Sequence, residues 1–143
     1  MNFRTFDAVS FLKASRHWIK YKRRLQQELE DMPMLPAGGD NSGIRGSDPS
    51  ELTARLALRR LKIKAEIEEI ERHEEMLAYA LNSLTEDERE VINGFFFSRK
   101  SKGAFVDEYK RKHGLNKNHV YDERLRILKK IGRLIDEKYY EGE

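Results

Sequence analysis

The chain has 143 residues and a net charge of +3; 37% of its residues are charged against 38% hydrophobic, so its buried volume is small and much of it is exposed. The absence of cysteine excludes disulfides, thiolate metal sites and cysteine nucleophiles. No apolar run approaches the about 20 residues of a membrane span, and the N-terminus has no apolar core of signal-peptide length. We therefore expect a soluble, cytoplasmic protein without a membrane segment.

Positive charge is concentrated in two stretches of the sequence. Residues 98–133 contain 12 Lys and Arg against 4 acidic residues, and residues 1–24 contain 7 against 1. Basic blocks of this kind attract polyanions, chiefly through phosphate groups. A polyanion is therefore an expected partner, and the larger block places its site in the C-terminal third.

The first half of the chain predicts two helices joined by a linker. Residues 5–30 carry a loose apolar stripe and contain no Pro or Gly, which favours a first helix. Residues 31–48 hold two of the three prolines and four of the nine glycines, which excludes a helix there. The second helix is predicted to start after an N-cap at Asp48, with Pro49 at its first position, and to continue to about residue 82.

The second helix has the apolar spacing of a coiled coil. Alternating steps of four and three residues meet apolar residues at seven of nine positions. These positions are Leu56, Arg60, Ile63, Ile67, Ile70, Glu74, Leu77, Leu81 and Leu84. We predict that residues 1–83 form a long, coiled-coil-like helical hairpin in which the first helix packs antiparallel on the second.

Residues 84–143 predict three short helices. The segment "TEDERE" begins the first, with Thr85 as N-cap and Glu88 completing a capping box. Residues 104–112 form the second, which ends at Gly114, and Asn116 caps the third. The run of phenylalanines at 95–97 is more typical of the core of a small three-helix unit than of a platform for stacking bases.

The last helix has an apolar side and a polar side. Its polar side carries Asn118, Asp122 and Arg126 at intervals of four residues, starting in the part of a recognition helix that enters the major groove. Asparagine pairs with adenine and arginine with guanine, so the strip suits base readout; the alternative is an ion pair between Asp122 and Arg126. Arg124 points toward the apolar side, where it either extends to solvent, pairs with an acid or shows that this helical register is wrong.

The expected DNA contacts fall into two groups. Contacts to base edges in the groove are assigned to Lys117, Asn118, His119, Asp122 and Arg126. Contacts to phosphates are assigned to Arg99, Lys100, Lys102, Lys110, Arg111, Lys129 and Lys130. The second group needs charge in the right place but no base specificity.

Catalysis and metal binding are not expected. The four histidines are scattered, and none has a second histidine or a carboxylate at ligand spacing in the sequence. A capped helix N-terminus explains the acids of "TEDERE", and the sequence contains no phosphate-binding loop, serine elbow or acid-base pair. We predict no catalytic residue, no metal site and no cofactor.

From Leu84 onward the chain resembles the helix-turn-helix of region 4 of bacterial sigma-70 factors, which reads the promoter −35 element. The resemblance lies in "LTEDEREVI", in the Gly114-Leu115-Asn116 turn and in a following helix with Val120 inward. With its basic first helix, Gly-rich linker and Glu-rich second helix, the whole chain is similar to phage and prophage late transcriptional regulators of the ArpU and RinA type. The resemblance implies an all-α fold in which residues 84–143 form a sigma-like DNA-binding domain.

This resemblance also implies a function. It implies a sequence-specific transcription activator of phage or prophage late genes that binds double-stranded DNA in the bacterial host. The helical hairpin would then either form a homodimer or contact the host RNA polymerase. Two other functions remain open on the sequence: a small terminase subunit of phage DNA packaging, and an interaction adaptor whose coiled coil binds a host protein without specific DNA binding.

Overall fold

The computed structural model describes residues 7–33 and 49–140, and all secondary structure in these residues is helical. The α-helices are α1 (Ala8–Asp31), α2 (Pro49–Asn82), α3 (Glu86–Ile92), α4 (Lys102–His113) and α5 (Lys117–Ile135). Turns of π-helix follow α3 at Asn93–Phe97 and α5 at Asp136–Tyr140. The all-helical prediction is confirmed. Most of the predicted linker and the Asp48 cap lie outside the described residues.

Short polar side chains cap the helix starts. The Thr85 hydroxyl accepts from the Glu88 N–H at 3.2 Å, and Glu88 Oε1 accepts from the Thr85 N–H at 2.8 Å, so the capping box predicted for α3 is confirmed. At the start of α1, the Asp7 carboxylate accepts from the Ser10 N–H at 3.1 Å. These bonds satisfy backbone donors that have no partner within the helix.

The described residues divide into two compact units. Residues 18–33 and 49–73 form one, which we call the hairpin unit, and residues 7–17 and 74–140 form the other, the C-terminal unit. The division falls within α1 and α2, whereas the sequence placed the domain boundary between residues 83 and 84. The start of α1 and the end of α2 belong to the C-terminal unit because Leu12 of α1 and Met76 and Ala80 of α2 are fully buried there.

In the hairpin unit, α1 and α2 run antiparallel. Tyr21 Oη donates to Glu66 Oε2 at 3.2 Å and Arg59 Nε donates to Glu28 Oε1 at 2.9 Å, so later residues of α1 meet earlier residues of α2. The apolar cluster comprises Leu25, Ile63 and Ile70, with Trp18, Leu29, Met32 and Ile67 packed against it. Burial of these side chains holds the two helices together.

The predicted apolar seam of α2 is only partly correct. Of its positions in the hairpin unit, Ile63, Ile67 and Ile70 lie in the apolar cluster. In the C-terminal unit Met76 and Ala80 are buried while Leu77 and Leu81 are half-buried. A straight helix rotates by about 20° per heptad relative to a 3.5-residue repeat, so its inward face changes along a long helix. The seam prediction assumed one unchanging partner along all of α2.

The aromatic run after α3 belongs to the core of the C-terminal unit, as predicted. Phe95 and Phe96 are buried in the π-helical turn, so their faces are not available to stack on bases. The ring of Phe105 from α4 meets the Phe95 ring edge to face, with 5.2 Å between centroids. The Phe105 ring also lies directly over Gly94, where an added Cβ would overlap it.

Candidate nucleic-acid interface

A tight turn joins α4 to α5. Gly114 ends α4 in the left-handed conformation (φ 65°, ψ 33°), which costs glycine little because it has no Cβ. The Leu115 N–H donates to the Lys110 carbonyl at 2.9 Å, and Asn116 Oδ1 accepts from the His119 N–H at 2.9 Å. Both signals that the sequence predicted, the glycine stop and the asparagine cap, are confirmed. They place the start of α5 directly after the turn.

The apolar side of α5 packs into the C-terminal unit and its opposite side is exposed. The buried residues are Val120, Ile127, Leu128, Ile131, Gly132 and Ile135. In the first two turns Lys117, Asn118, His119 and Asp122 are exposed. Within the described residues, the side chains of these four make no hydrogen bond or ion pair. They form the part of the predicted base-contact group that is free to meet a ligand.

Arg126, the fifth member of that group, is exposed but is already engaged in ion pairs within the protein. Its guanidinium donates to Glu88 Oε2 at 3.0 Å and to Glu123 Oε2 at 2.7 Å. Lys130, predicted to contact phosphate, donates to Glu88 Oε1 at 2.8 Å. The proposed pair between Arg126 and Asp122 is therefore replaced by pairs with other acids. The reason is that Glu88 of α3 faces this side of α5.

Glu88 is the charged centre of this arrangement. The residue is only 5% exposed, and its two oxygens accept from Thr85, Lys130 and Arg126. Burial alone would raise the pKa of its carboxyl, but the bonds from Lys130, the Thr85 N–H and Arg126 outweigh burial and lower the pKa from 4.5 to about 2. Glu88 is therefore ionised at neutral pH and fixes α5 against α3.

The predicted phosphate contacts differ in availability. Lys100 donates to Glu108 at 2.7 Å, Lys110 lies 3.6 Å from Asp107, and Arg111 Nε donates to the Asp107 carbonyl at 3.2 Å. By contrast, Arg99, Lys102 and Lys129 are exposed and unpaired within the described part of the chain. The three unpaired residues are available to a phosphate without loss of an internal bond.

Two exposed residues of α5 complete its outward side and were missed from the sequence. Leu125 is 53% exposed, three residues after Asp122 and four before Lys129, so all three share one side of the helix. Arg133 is also exposed, one turn after Lys129. The signal for Leu125 was an apolar residue that lies outside the apolar side at helical spacing.

Arg124 stacks on the aromatic run. Its guanidinium carbon lies 5.2 Å from the centroid of Phe95 and 5.3 Å from that of Phe96. Its Nε has no hydrogen-bond partner within the described residues, so the cation–π contact is what accommodates this half-buried charge. The predicted helical register of α5 is therefore correct.

Polar contacts link the end of α4 to α3. Glu90 lies 3.4 Å from His113 Nε2 and accepts from Lys112 Nζ at 3.0 Å. Burial alone would raise the pKa of Glu90, but the bond from Lys112 and its positive charge outweigh burial and lower the pKa. Asp87 completes a trio of possible metal ligands with Glu90 and His113, whose ligand atoms lie within 4.8 Å of one another. The sequence missed this cluster because its carboxylates come from another helix.

Comparison of the chain with protein-family models, with curated proteins and with solved structures finds no match. Within the described residues, none of the helices has both the length and the apolar character that crossing a membrane requires. The features of the protein that bear on its function are therefore the geometry and charge of α4, α5 and the turn between them.

Proposed function

We propose that this protein is a sequence-specific regulator of transcription that reads double-stranded DNA with the outward side of α5. The observation that carries the proposal is the unpaired polar group Lys117, Asn118, His119 and Asp122, which follows a capped turn at the start of an otherwise packed helix. Recognition helices place their N-terminal residues against base edges in the major groove. A rigid support behind α5 favours such readout, since its position does not have to be ordered on binding.

The residue types on this side suit base recognition. An amide such as that of Asn118 pairs with adenine, and a carboxylate such as that of Asp122 is an acceptor for the amino group of cytosine. Leu125 adds an exposed apolar contact of the kind that recognises the methyl group of thymine. Lys117 at the helix start contributes charge to the same surface.

Phosphate contacts would come from the unpaired basic residues around this surface. Lys129 and Arg133 continue the outward side of α5, Lys102 is the first residue of α4, and Arg99 lies just before that helix. Residues 98–133 carry 12 basic against 4 acidic residues, so the region attracts a polyanion even after its internal ion pairs are counted. Arg126 and Lys130 take a different part in this proposal: through Glu88 they hold the helix in position.

The sigma-like pattern gives the proposal its biological setting. Its "LTEDEREVI" segment supplies Glu88, and its glycine turn precedes the helix that we assign to DNA. On this resemblance the protein activates phage or prophage late genes in the bacterial cytoplasm and works with the host RNA polymerase. The resemblance supports this setting, and the geometry of α5 supports the DNA contact.

Selection from random double-stranded DNA tests the proposed function. The purified protein is mixed with a pool of random duplexes at about 150 mM salt, where non-specific phosphate contacts are weak, and bound duplexes are sequenced over several rounds. We expect one motif to be enriched, and to be enriched less by a protein carrying Asn118→Ala. A pool that stays random through all rounds would reject sequence-specific binding.

Asn118→Ala and Lys129→Ala should affect DNA binding in different ways. Removing Asn118 should reduce discrimination between the selected sequence and a shuffled one by about tenfold, because a bidentate base contact is worth about 1–3 kcal/mol. Removing Lys129 should weaken binding to both sequences about fivefold and lower the salt dependence by about one phosphate contact.

Fluorescence anisotropy titrations at several salt concentrations measure both effects. Arg72→Ala is the matched control, since Arg72 is an exposed basic residue in the hairpin unit. If all three variants change binding equally, Asn118 does not read bases.

A further inference from the structure

A second apolar stripe lies on α2, opposite the side that packs in the hairpin unit. Ala54, Leu58, Leu61 and Ala65 follow one another at steps of four, three and four residues, so they line one side of the helix. All four are exposed, and Leu58 and Leu61 are 66% and 64% exposed. The stripe, which we call the outer stripe, points away from the side that carries the buried Ile63.

Basic residues border the outer stripe. Lys62 and Arg55 lie along one edge and Lys64 along the other, and all three are exposed. Arg55 pairs with Glu51 at 2.8 Å, while Lys62 and Lys64 make no ion pair within the residues that the structure describes. From residue 54 to residue 65 the chain has no acidic residue, and its other two basic residues, Arg59 and Arg60, bond to Glu28 and to the Pro33 carbonyl. A helix that covers the stripe therefore meets positive charge on both sides.

This charge pattern argues against a second copy of the chain as the occupant. Two copies that stack Leu58 on Leu61 in opposite directions bring Arg55 of one copy beside Lys62 of the other. Two copies in parallel register supply no acidic residue between residues 54 and 65 that could pair with Lys62 and Lys64 of the other copy. Like charges at the borders of a helix pair are unfavourable, so the stripe does not suit self-association.

We propose that the outer stripe binds an amphipathic helix of another protein, whose apolar side chains are bordered by acidic residues. The two leucines supply the apolar contact, and the alanines on either side of them let the partner helix approach closely. Twelve residues of helix span about 18 Å, so the partner needs about three turns. Acidic borders on the partner pair with Lys62 and Lys64 and set its register.

This binding site is independent of the DNA contact, since it lies in the hairpin unit while α5 lies in the C-terminal unit. If the protein failed to bind DNA, the proposal for the outer stripe would be unaffected. If the outer stripe failed to bind a helix, the proposal for DNA binding would be unaffected.

The test uses two fluorescein-labelled three-heptad peptides with leucine at positions a and d. One carries glutamate at positions e and g, and the other carries lysine there. Anisotropy titrations with the full chain should give a dissociation constant tighter than about 100 µM for the acidic peptide and at least tenfold weaker binding for the basic one.

The double variant Leu58→Ser/Leu61→Ser should weaken binding of the acidic peptide by at least about tenfold. The matched control is Ile19→Ser, since Ile19 is 57% exposed on α1 of the same unit and lies off the stripe. Both variants change exposed side chains, and thermal unfolding checks that each retains the wild-type fold.

Three results would overturn the proposal: no binding of the acidic peptide, equal binding of the two peptides, or an unchanged affinity in the Leu58→Ser/Leu61→Ser variant. Sedimentation of the protein without peptide tests the alternative that a second copy of the chain occupies the outer stripe. A wild-type dimer that the double variant abolishes would assign the outer stripe to a second copy and would also overturn the proposal.

Discussion

Glu88→Ala is expected to lower the free energy of unfolding by about 3 kcal/mol, because a buried charge partner of two cations is lost together with half of a capping box. Glu88 is buried and accepts from Thr85, Arg126 and Lys130. Removal of one partner from a buried ion pair typically costs about 3–5 kcal/mol. We expect the lower end, since Arg126 is partly exposed and is able to turn toward water.

Urea unfolding at neutral pH measures this loss, and Glu86→Ala is the matched control. Glu86 is an exposed acid in the same first turn of α3, so its removal should change the free energy of unfolding by less than about 0.5 kcal/mol. Equal losses for the two variants would mean that Glu88 acts only through the charge of the helix N-terminus.

Lowering the pH should remove the stabilisation that the Glu88 carboxylate provides. The carboxyl of Glu88 has a pKa of about 2 in the folded protein, below its ordinary value of 4.5. The unfolded chain therefore binds a proton more readily, so the stabilisation is fully present above about pH 4.5 and is lost as the pH falls toward 2. Between these pH values the wild type should lose about 3 kcal/mol more than Glu88→Gln. Parallel pH profiles of the two proteins would contradict the charged role of Glu88.

Gly94→Ala is expected to destabilise the C-terminal unit by about 3 kcal/mol, because the Phe105 ring occupies the place that the new methyl group requires. The ring is held between Phe95 and Tyr109, at centroid distances of 5.2 and 5.6 Å, so it has little freedom to move aside. Overpacking of this kind usually costs about 1–3 kcal/mol, and an aromatic ring in a closed cluster places this site at the upper end.

Two further variants make the Gly94 prediction specific. Gly103→Ala is the matched control, since nothing lies within 4 Å of its added Cβ and alanine favours a helix, so stability should rise by roughly 0.5 kcal/mol. The double variant Gly94→Ala/Phe105→Leu should be more stable than the sum of its single changes implies. Strictly additive losses in thermal or urea unfolding would show that the methyl group and the ring do not collide.

Local signals predicted the framework of the candidate site. The capping box of Thr85 and Glu88, the glycine stop at Gly114 and the asparagine cap at Asn116 depend on neighbours within a few residues, so the sequence contains all the information needed. The buried and exposed sides of α5 followed from helical periodicity in the same way. These features position Asn118 and Asp122 correctly on the outward side.

The features of the site that the sequence did not predict depend on contacts between residues far apart in the chain. Glu88 was recognised as a cap, but its second role requires Arg126 and Lys130, which lie 38 and 42 residues later in the chain. Periodicity placed Arg126 on the polar side of α5 without showing that an acid of α3 faces it. Arg124 was unresolved for the same reason, because its partners are the aromatic rings that follow α3.

The long helix α2 shows a different limit of prediction from sequence. A heptad pattern predicts contact with one partner along a constant seam, and this holds only where α1 covers α2 in the hairpin unit. Beyond His73 the helix belongs to the C-terminal unit, where the small side chain of Ala80 is buried and the larger Leu81 is half-buried. Which side of a helix is buried depends on what packs there, and apolar spacing alone does not contain that information.

The proposal that α5 reads DNA sequence is tested most directly by one ratio: the affinity for the selected duplex divided by that for a shuffled duplex, at about 150 mM salt. It is measured for the wild type and for Asn118→Ala/Leu125→Ala, which changes two exposed residues of the outward side. We expect a wild-type ratio of at least about 1,000, and a double variant that loses most of this ratio while its thermal stability is unchanged. A wild-type ratio near one, or a double variant that keeps the full ratio, would contradict the assignment of α5 as the reading helix.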